Sequence, residues 1–236
     1  MAPFTPPPGY TRVQVVASFE ALVATPFVNG TNAVCWPRSL PGDFDEVARH
    51  LADGDVHSPI DEARLAVLPV SDAGRAAIHV LLEDQRLLRS IGQAPTLECV
   101  REYARDDEQA PVPTDVYSFH VDSATVATDT YLCSYTEPTS EGLRHDEAVR
   151  CVDIPAIRAR LLERFGGEPG VGFVAYLRQH CFDLHHAPLP GATPFAFGVG
   201  NLWRIAVQHP GSAVPACIHR APATRPGRPP RLLLIS

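Results

Sequence analysis

The sequence contains no lysine: all 20 basic residues are arginine, set against 27 acidic ones, for a net charge of −7. On a mildly acidic chain without a Lys/Arg cluster, the electrostatic footprint of a nucleic-acid binder is missing. Basic residues gather only near the C-terminus, at Arg220, Arg225, Arg228 and Arg231. The six cysteines (Cys35, Cys99, Cys133, Cys151, Cys181, Cys217) include no CxxC, which argues against a zinc ribbon or a thioredoxin-type motif. The N-terminal MAPFTPPPGYTR lacks a basic region followed by an apolar one, so no signal peptide is read. No apolar run approaches the length of a membrane span. Together these absences predict reduced thiols in a cytoplasmic protein. A single methionine and 24 prolines fit a GC-rich coding bias better than a functional signal.

What is present suits one soluble domain. The 236 residues with 45% hydrophobic content are enough to bury a sizeable core. Residues 1–12 read as a proline-rich arm, 13–110 as a mainly helical support region, and 111–236 as a β-barrel core with helical insertions. LPGDFDEVARHLADG carries Asp43 as N-cap, Glu46 three residues on and Gly54 as a stop. SDAGRAAIHVLLEDQRLLRSIG is the clearest helix, with Ala77, Ile78, Leu81, Leu82 and Leu88 at helical spacing and Gly92 as a stop. TRVQVVASF reads as a short strand, and TLECVREYAR as a strand or a helix. Beyond residue 111, VYSFHVD, TDTYLCSYT, FAFGVGNLWRIAVQ, ACIHRAP and PRLLLIS are β-branched and aromatic runs between turn residues. Helical patches at IPAIRARLLERFGG and GVGFVAYLRQHC interrupt them.

The stretch that carries chemistry is FHVD. His120 and Asp122 are two apart on a strand, so they face the same side. Two histidines and one carboxylate form a facial triad that leaves three coordination positions of Fe(II) open, the room that a cosubstrate and dioxygen need. The distal histidine is His219 in PACIHRAP, 99 residues after His120. Arg231 opens the final strand 12 residues later, and its planar fork suits a buried carboxylate. The order H-x-D, distant His, then Arg resembles the Fe(II)/2-oxoglutarate-dependent dioxygenases.

That resemblance implies an α+β fold: a double-stranded β-helix (jelly-roll or cupin-like barrel) with the mainly helical N-terminal half packed on it. It implies Fe(II) held by His120, Asp122 and His219, with O2 and 2-oxoglutarate as cosubstrates and Arg231 pairing the distal carboxylate. Retention of Asp122, where related halogenases carry a small residue, implies hydroxylation, desaturation or a related oxidation of a small-molecule or amino-acid-like substrate. The chain is also similar to a bacterial family of uncharacterised function whose members share N-x-x-x-W-x-R, FHxD and H-R-[SA]-P…R-L-L-L segments, here Asn32 to Arg38, Phe119 to Asp122 and His219 to Leu234. Some members of that family lie beside zinc-homeostasis genes. A cupin-type metalloenzyme without 2-oxoglutarate, and a non-enzymatic zinc-binding barrel, are therefore the alternatives.

Other residues are weighed against plainer roles. Tyr131 or Tyr135 offers a hydroxyl to the cosubstrate, with a core aromatic as the equal alternative. Asn32, Trp36 and Arg38 are candidate substrate contacts at the barrel mouth, although a tryptophan such as Trp36 is more often a packing residue. The run His180, Cys181, Asp183, His185, His186 is rich in ligand types, yet it has no finger spacing and reads as a helix end followed by a loop. An alternative places His185 or His186 at the pocket mouth. His145 and His209 read as surface residues, and Arg220 as facing away from the pocket.

Overall fold

The computed structural model describes residues 4–52, 60–106, 110–223 and 230–236. In chain order the elements are β1 (Val13–Val15), α1 (Phe19–Ala24), β2 (Ala33–Trp36), α2 (Phe44–Ala52), α3 (Glu62–Ala66), α4 (Asp72–Ser90) and β3 (Thr96–Val100). They continue as β4 (Phe119–His120), β5 (Asp129–Ser134), β6 (Glu141–Gly142), β7 (Ala148–Arg150), α5 (Pro155–Phe165) and α6 (Val171–Gln179). The chain closes with β8 (His185–Pro188), β9 (Phe195–Ala196), β10 (Leu202–Ala206), β11 (His219–Arg220) and β12 (Arg231–Ile235).

Helix signals act where the sequence places them. Asp43 accepts the Glu46 backbone N–H at 2.8 Å and starts α2. The Glu46 carboxylate does not fold back on its own helix; it receives the Ser71 backbone N–H at 2.8 Å and the Ser71 hydroxyl at 2.6 Å. Ser71 in turn caps α4 through the Gly74 N–H, so one carboxylate ties the starts of two helices together. Gly92 has φ +81°, the left-handed turn that ends α4. The stop expected at Gly54 lies outside the described residues.

Two six-stranded sheets form the β part. Sheet A runs β1-β2-β10-β5-β12-β3 and sheet B runs β7-β8-β4-β11-β6-β9. All pairings are antiparallel except β1 with β2. Residues 13–110 thus supply α1 to α4 and three strands of sheet A as well, so the region expected to be mainly helical is woven into the sheet. The arm packs against sheet A: Phe4 meets Trp203 of β10 edge-on, with centroids 4.7 Å apart.

Sheet A is buried on both faces, and alternate residues divide between two cores. On one face Val34, Tyr131, Cys133, Leu202, Leu232 and Leu234 pack with Val47, Leu51, Leu81 and Leu88 of α2 and α4. On the other, Ala33, Cys35, Leu132, Trp203, Ile205 and Leu233 pack with Phe197 and Cys217. All six cysteines are free thiols. Among the described residues, no helix is long and apolar enough to cross a membrane.

Candidate metal centre

The site is built on one row of sheet B. Antiparallel pairing sets His185 of β8 directly opposite His120 of β4, and His120 directly opposite His219 of β11. His219 in turn pairs with Gly142 of β6, and Gly142 with Phe195 of β9. Residues opposite each other across neighbouring strands share a face, so one line across five strands reads His, His, His, Gly, Phe. The imidazole centroids are 5.7 Å apart for His185 and His120, and 4.7 Å for His120 and His219. A Cβ on Gly142 would stand 2.3 Å from the Phe195 ring, so only glycine lets that ring lie across the row.

Asp122 completes the cluster. Its Oδ1 is 3.9 Å from His120 Nε2 and 3.7 Å from His219 Nε2. Ligand atoms of His120, Asp122 and His219 all lie within 4.8 Å of one another, and among the described residues they form the only such group of three. The neighbouring polar groups fix each donor. His120 Nδ1 is 2.9 Å from the Ser118 carbonyl, and His219 Nδ1 is 3.2 Å from the Cys217 carbonyl. A carbonyl accepts only, so both Nδ1 atoms carry the proton and both Nε2 atoms present lone pairs to the centre. The Thr130 hydroxyl donates to Asp122 Oδ2 at 2.6 Å, which leaves Oδ1 turned towards the histidines.

Electrostatics favour the metal-binding protonation states. Burial, then the neighbouring His219, pushes the His120 pKa down to about 4, keeping the ring neutral near pH 7. Burial alone would raise the Asp122 carboxyl; His219, the Thr130 hydroxyl and His120 outweigh it and hold it below the usual carboxylate range. Neutral His120 beside an ionised Asp122 suits a divalent cation.

Arg231 enters the interior from β12 and is 6% exposed. Its Nη2 donates to Ser140 Oγ at 2.5 Å and Ser134 Oγ at 3.2 Å, and its Nη1 to the Tyr103 hydroxyl at 3.2 Å. Its Nε is buried with no hydrogen-bond partner. No carboxylate within 4.0 Å pairs with it among the described residues. Burial holds its pKa below the ordinary arginine value. The two ends of the site share one face of β5, where Thr130 touches Asp122 and Ser134 touches Arg231.

The remaining sequence candidates fall elsewhere. Tyr131 shares its strand face with Cys133 and packs in the helix-side core, away from the triad and from Arg231. Tyr135, on that same face, gives its hydroxyl to Asp84 at 2.7 Å. Trp36 also sits on the helix side, beside Phe19 and beneath the Arg38 guanidinium. Arg38 binds Asp84 through two contacts of 2.5 and 2.8 Å and also reaches the Gly200 carbonyl. Asn32 is fully buried and donates to the Pro215 and Ala216 carbonyls, anchoring the chain just before β11. It does not line the cavity beside His120 and Asp122. Arg220 does face away, pairing Glu141 at 2.6 Å.

The ligand-rich run 180–186 is neither a finger nor a plain loop. After α6 it forms a short 3-10 turn at Phe182–Leu184 and then β8. His185 points to the triad side, whereas His186, opposite Phe119, lies on the other face and borders a cleft with His145, Arg150 and His209. Of the two histidines that the sequence offers for the pocket mouth, the structure selects His185. A strand of four residues that ends in proline carries too little alternation to show its face.

Two cavities compete for attention. The larger, about 650 Å³, lies between Arg38, Phe44, Tyr135 and the Gly198–Asn201 turn and holds no triad residue. The smaller, about 200 Å³, is lined by His120, Asp122, His185, Thr114 and Asp115. Chemistry decides for the second, because the buried arginine in the wall of the first is already bound to Asp84. Comparison with protein-family models, curated proteins and solved structures found no match to this chain.

Proposed function

We propose that the protein is a non-haem Fe(II)- and 2-oxoglutarate-dependent oxygenase acting on a small-molecule or amino-acid-like substrate. The observation that carries the reading is Arg231: a buried guanidinium that meets Ser134 on the face of β5 whose Thr130 holds Asp122 of the triad, with only hydroxyl partners among the described residues and one N–H unused. A buried cation without an anion is costly, and a ligand that brings a carboxylate relieves it. The strand order supports the accompanying fold reading, a double-stranded β-helix. From β3 to β6 successive strands alternate between sheets A and B, and from β9 to β12 they alternate again. Two antiparallel ribbons wound together produce that order.

In this reading Fe(II), 2-oxoglutarate and O2 supply the oxidising power when bound. The chain's own part is positional. His120 and His219 would hold the metal through Nε2 while their Nδ1–H groups stay fixed on backbone carbonyls. Asp122 would supply Oδ1, with Thr130 occupying the other oxygen. Arg231, steadied by Ser134, Ser140 and Tyr103, would take the distal carboxylate of the cosubstrate, its fork suiting a bidentate pair. Leu132, Leu233 and Phe197 pack together in the core on this side of sheet A.

Anaerobic addition of Fe(II) and 2-oxoglutarate is the direct test. The expected result is a visible metal-to-ligand charge-transfer band, absent in Arg231→Ala and in His120→Ala. Tight zinc binding with no such band in the unaltered protein would replace this reading with a zinc-binding barrel. A band that survives Arg231→Ala would remove 2-oxoglutarate from its assigned seat and favour a cupin-type centre.

A further inference from the structure

His185 stands beside the candidate ligands without joining them. It is 4% exposed, its Cα lies opposite that of His120, and its ring is 5.7 Å from the His120 ring. The convergent ligand atoms belong to His120, Asp122 and His219 only, so His185 is too far out of the cluster to be a fourth ligand. One of its nitrogens is anchored: Nδ1 is 2.6 Å from Ser118 Oγ. That hydroxyl also lies 2.8 Å from the Asp115 carbonyl and 3.1 Å from the Pro113 carbonyl. A hydroxyl has one proton. While the carbonyls hold it, Nδ1–H donates to Oγ and Nε2 keeps a lone pair. When the hydroxyl turns to Nδ1, the proton sits on Nε2 instead. In both states Nε2 makes no hydrogen bond among the described residues, and His185 lines the cavity of about 200 Å³ together with His120 and Asp122.

We propose that His185 is the hydrogen-bonding partner of a small polar or anionic ligand on an open position of the metal. It accepts from water or a hydroxyl in one tautomer and donates to an anion in the other, with Ser118 setting the choice. The proposal rests on the metal-centre reading above and adds to it a contacting residue that binds no metal.

The test uses the protein loaded with Co(II), whose visible spectrum reports both metal binding and exogenous ligands, and azide as the probe. His185→Phe and His185→Gln are expected to bind Co(II) within about twofold of the unaltered protein. Azide affinity is expected to fall about fivefold to tenfold in His185→Phe, the worth of one lost hydrogen bond. It should partly recover in His185→Gln, whose amide can donate, and stay unchanged in His186→Phe on the opposite face. Ser118→Ala keeps the imidazole and loosens it, and should weaken azide about twofold to threefold; it serves also if the larger changes impair folding. Equal azide affinity in His185→Phe and the unaltered protein overturns the proposal. So does a parallel fall in Co(II) and azide affinity, which would make His185 a ligand or a packing residue. If the unaltered protein binds no Co(II), the metal-centre reading itself fails first, and this proposal goes with it.

Discussion

Arg38, which follows β2, and Arg231 of β12 keep little-exposed side chains on opposite sides of sheet A, and they are satisfied in opposite ways. Arg38, on the helix side, meets the Asp84 carboxylate of α4 with both ends of its fork, and the two side chains are 9% and 2% exposed. Burial lowers its pKa, but Cys133 and Asp84 outweigh that and raise it overall. Arg231, on the sheet B side, has only hydroxyls for partners, and burial keeps its pKa down. The first charge is neutralised within the chain and serves the fold. Among the described residues the second has hydroxyl partners and no carboxylate within 4.0 Å. Burial of a charge is therefore no guide to its role until its counter-charge has been sought.

The contrast can be broken from either side. The largest effect is expected on the helix face. Asp84→Ala strands the Arg38 guanidinium and removes the acceptor of the Tyr135 hydroxyl, and should cost about 3–5 kcal/mol in urea-unfolding free energy. A loss under about 1 kcal/mol would show that Arg38 does not depend on that partner. Thr130→Val, on the inner face, removes the hydroxyl that orients Asp122 while keeping the shape. Metal affinity should fall about tenfold to a hundredfold, read by Zn(II) competition with a chromophoric chelator, while the melting temperature changes little.

Arg231→Met should act against intuition. Without cosubstrate the variant is expected to be as stable as the unaltered protein or about 1 kcal/mol more so, because an unpaired buried charge gives way to an apolar side chain. It should also lose 2-oxoglutarate binding by calorimetry. Destabilisation by several kcal/mol would mean that the three hydroxyls already satisfy the guanidinium. Tyr131→Phe is the smallest change. Tyr131 shares the helix-side core with Cys133, so metal and 2-oxoglutarate affinities should stay within about twofold, a change worth less than one hydrogen bond. A loss beyond tenfold would place its hydroxyl in the site after all.

How much of this was readable in the letters follows from strand geometry. His120, Asp122 and His219 could be chosen because an H-x-D pair on a strand shares one face and a distant histidine in a β-rich run is a natural third ligand. Arg231 followed from its place at the head of the last strand. The faces of β5 were not readable. In TDTYLCSYT both sides are buried, so the polar-apolar alternation that normally marks inside and outside is absent. Tyr131 turns to the helix-side core, and its neighbour Thr130 is the one that reaches Asp122. The roles of Trp36 and Arg38 were hidden for a different reason. Their partners Phe19 and Asp84 lie on separate helices, and no local pattern announces a pairing across 46 residues. His185 needed the register of β8 on β4, a non-local quantity.

The row from His185 to Phe195 also bears on how this chain can change over time. Side chains on a strand alternate with a period of two, so sliding β4 by one residue would turn the His120 imidazole outward and bring Phe119 or Val121 into its place. A single residue gained or lost next to β4, β8 or β11 would dismantle the three-histidine line with composition and hydropathy almost unaltered. Substitutions in the connecting segments leave the line standing. For this site, the register of β4 against β8 and β11 is therefore under tighter restraint than the identity of residues in the connecting segments.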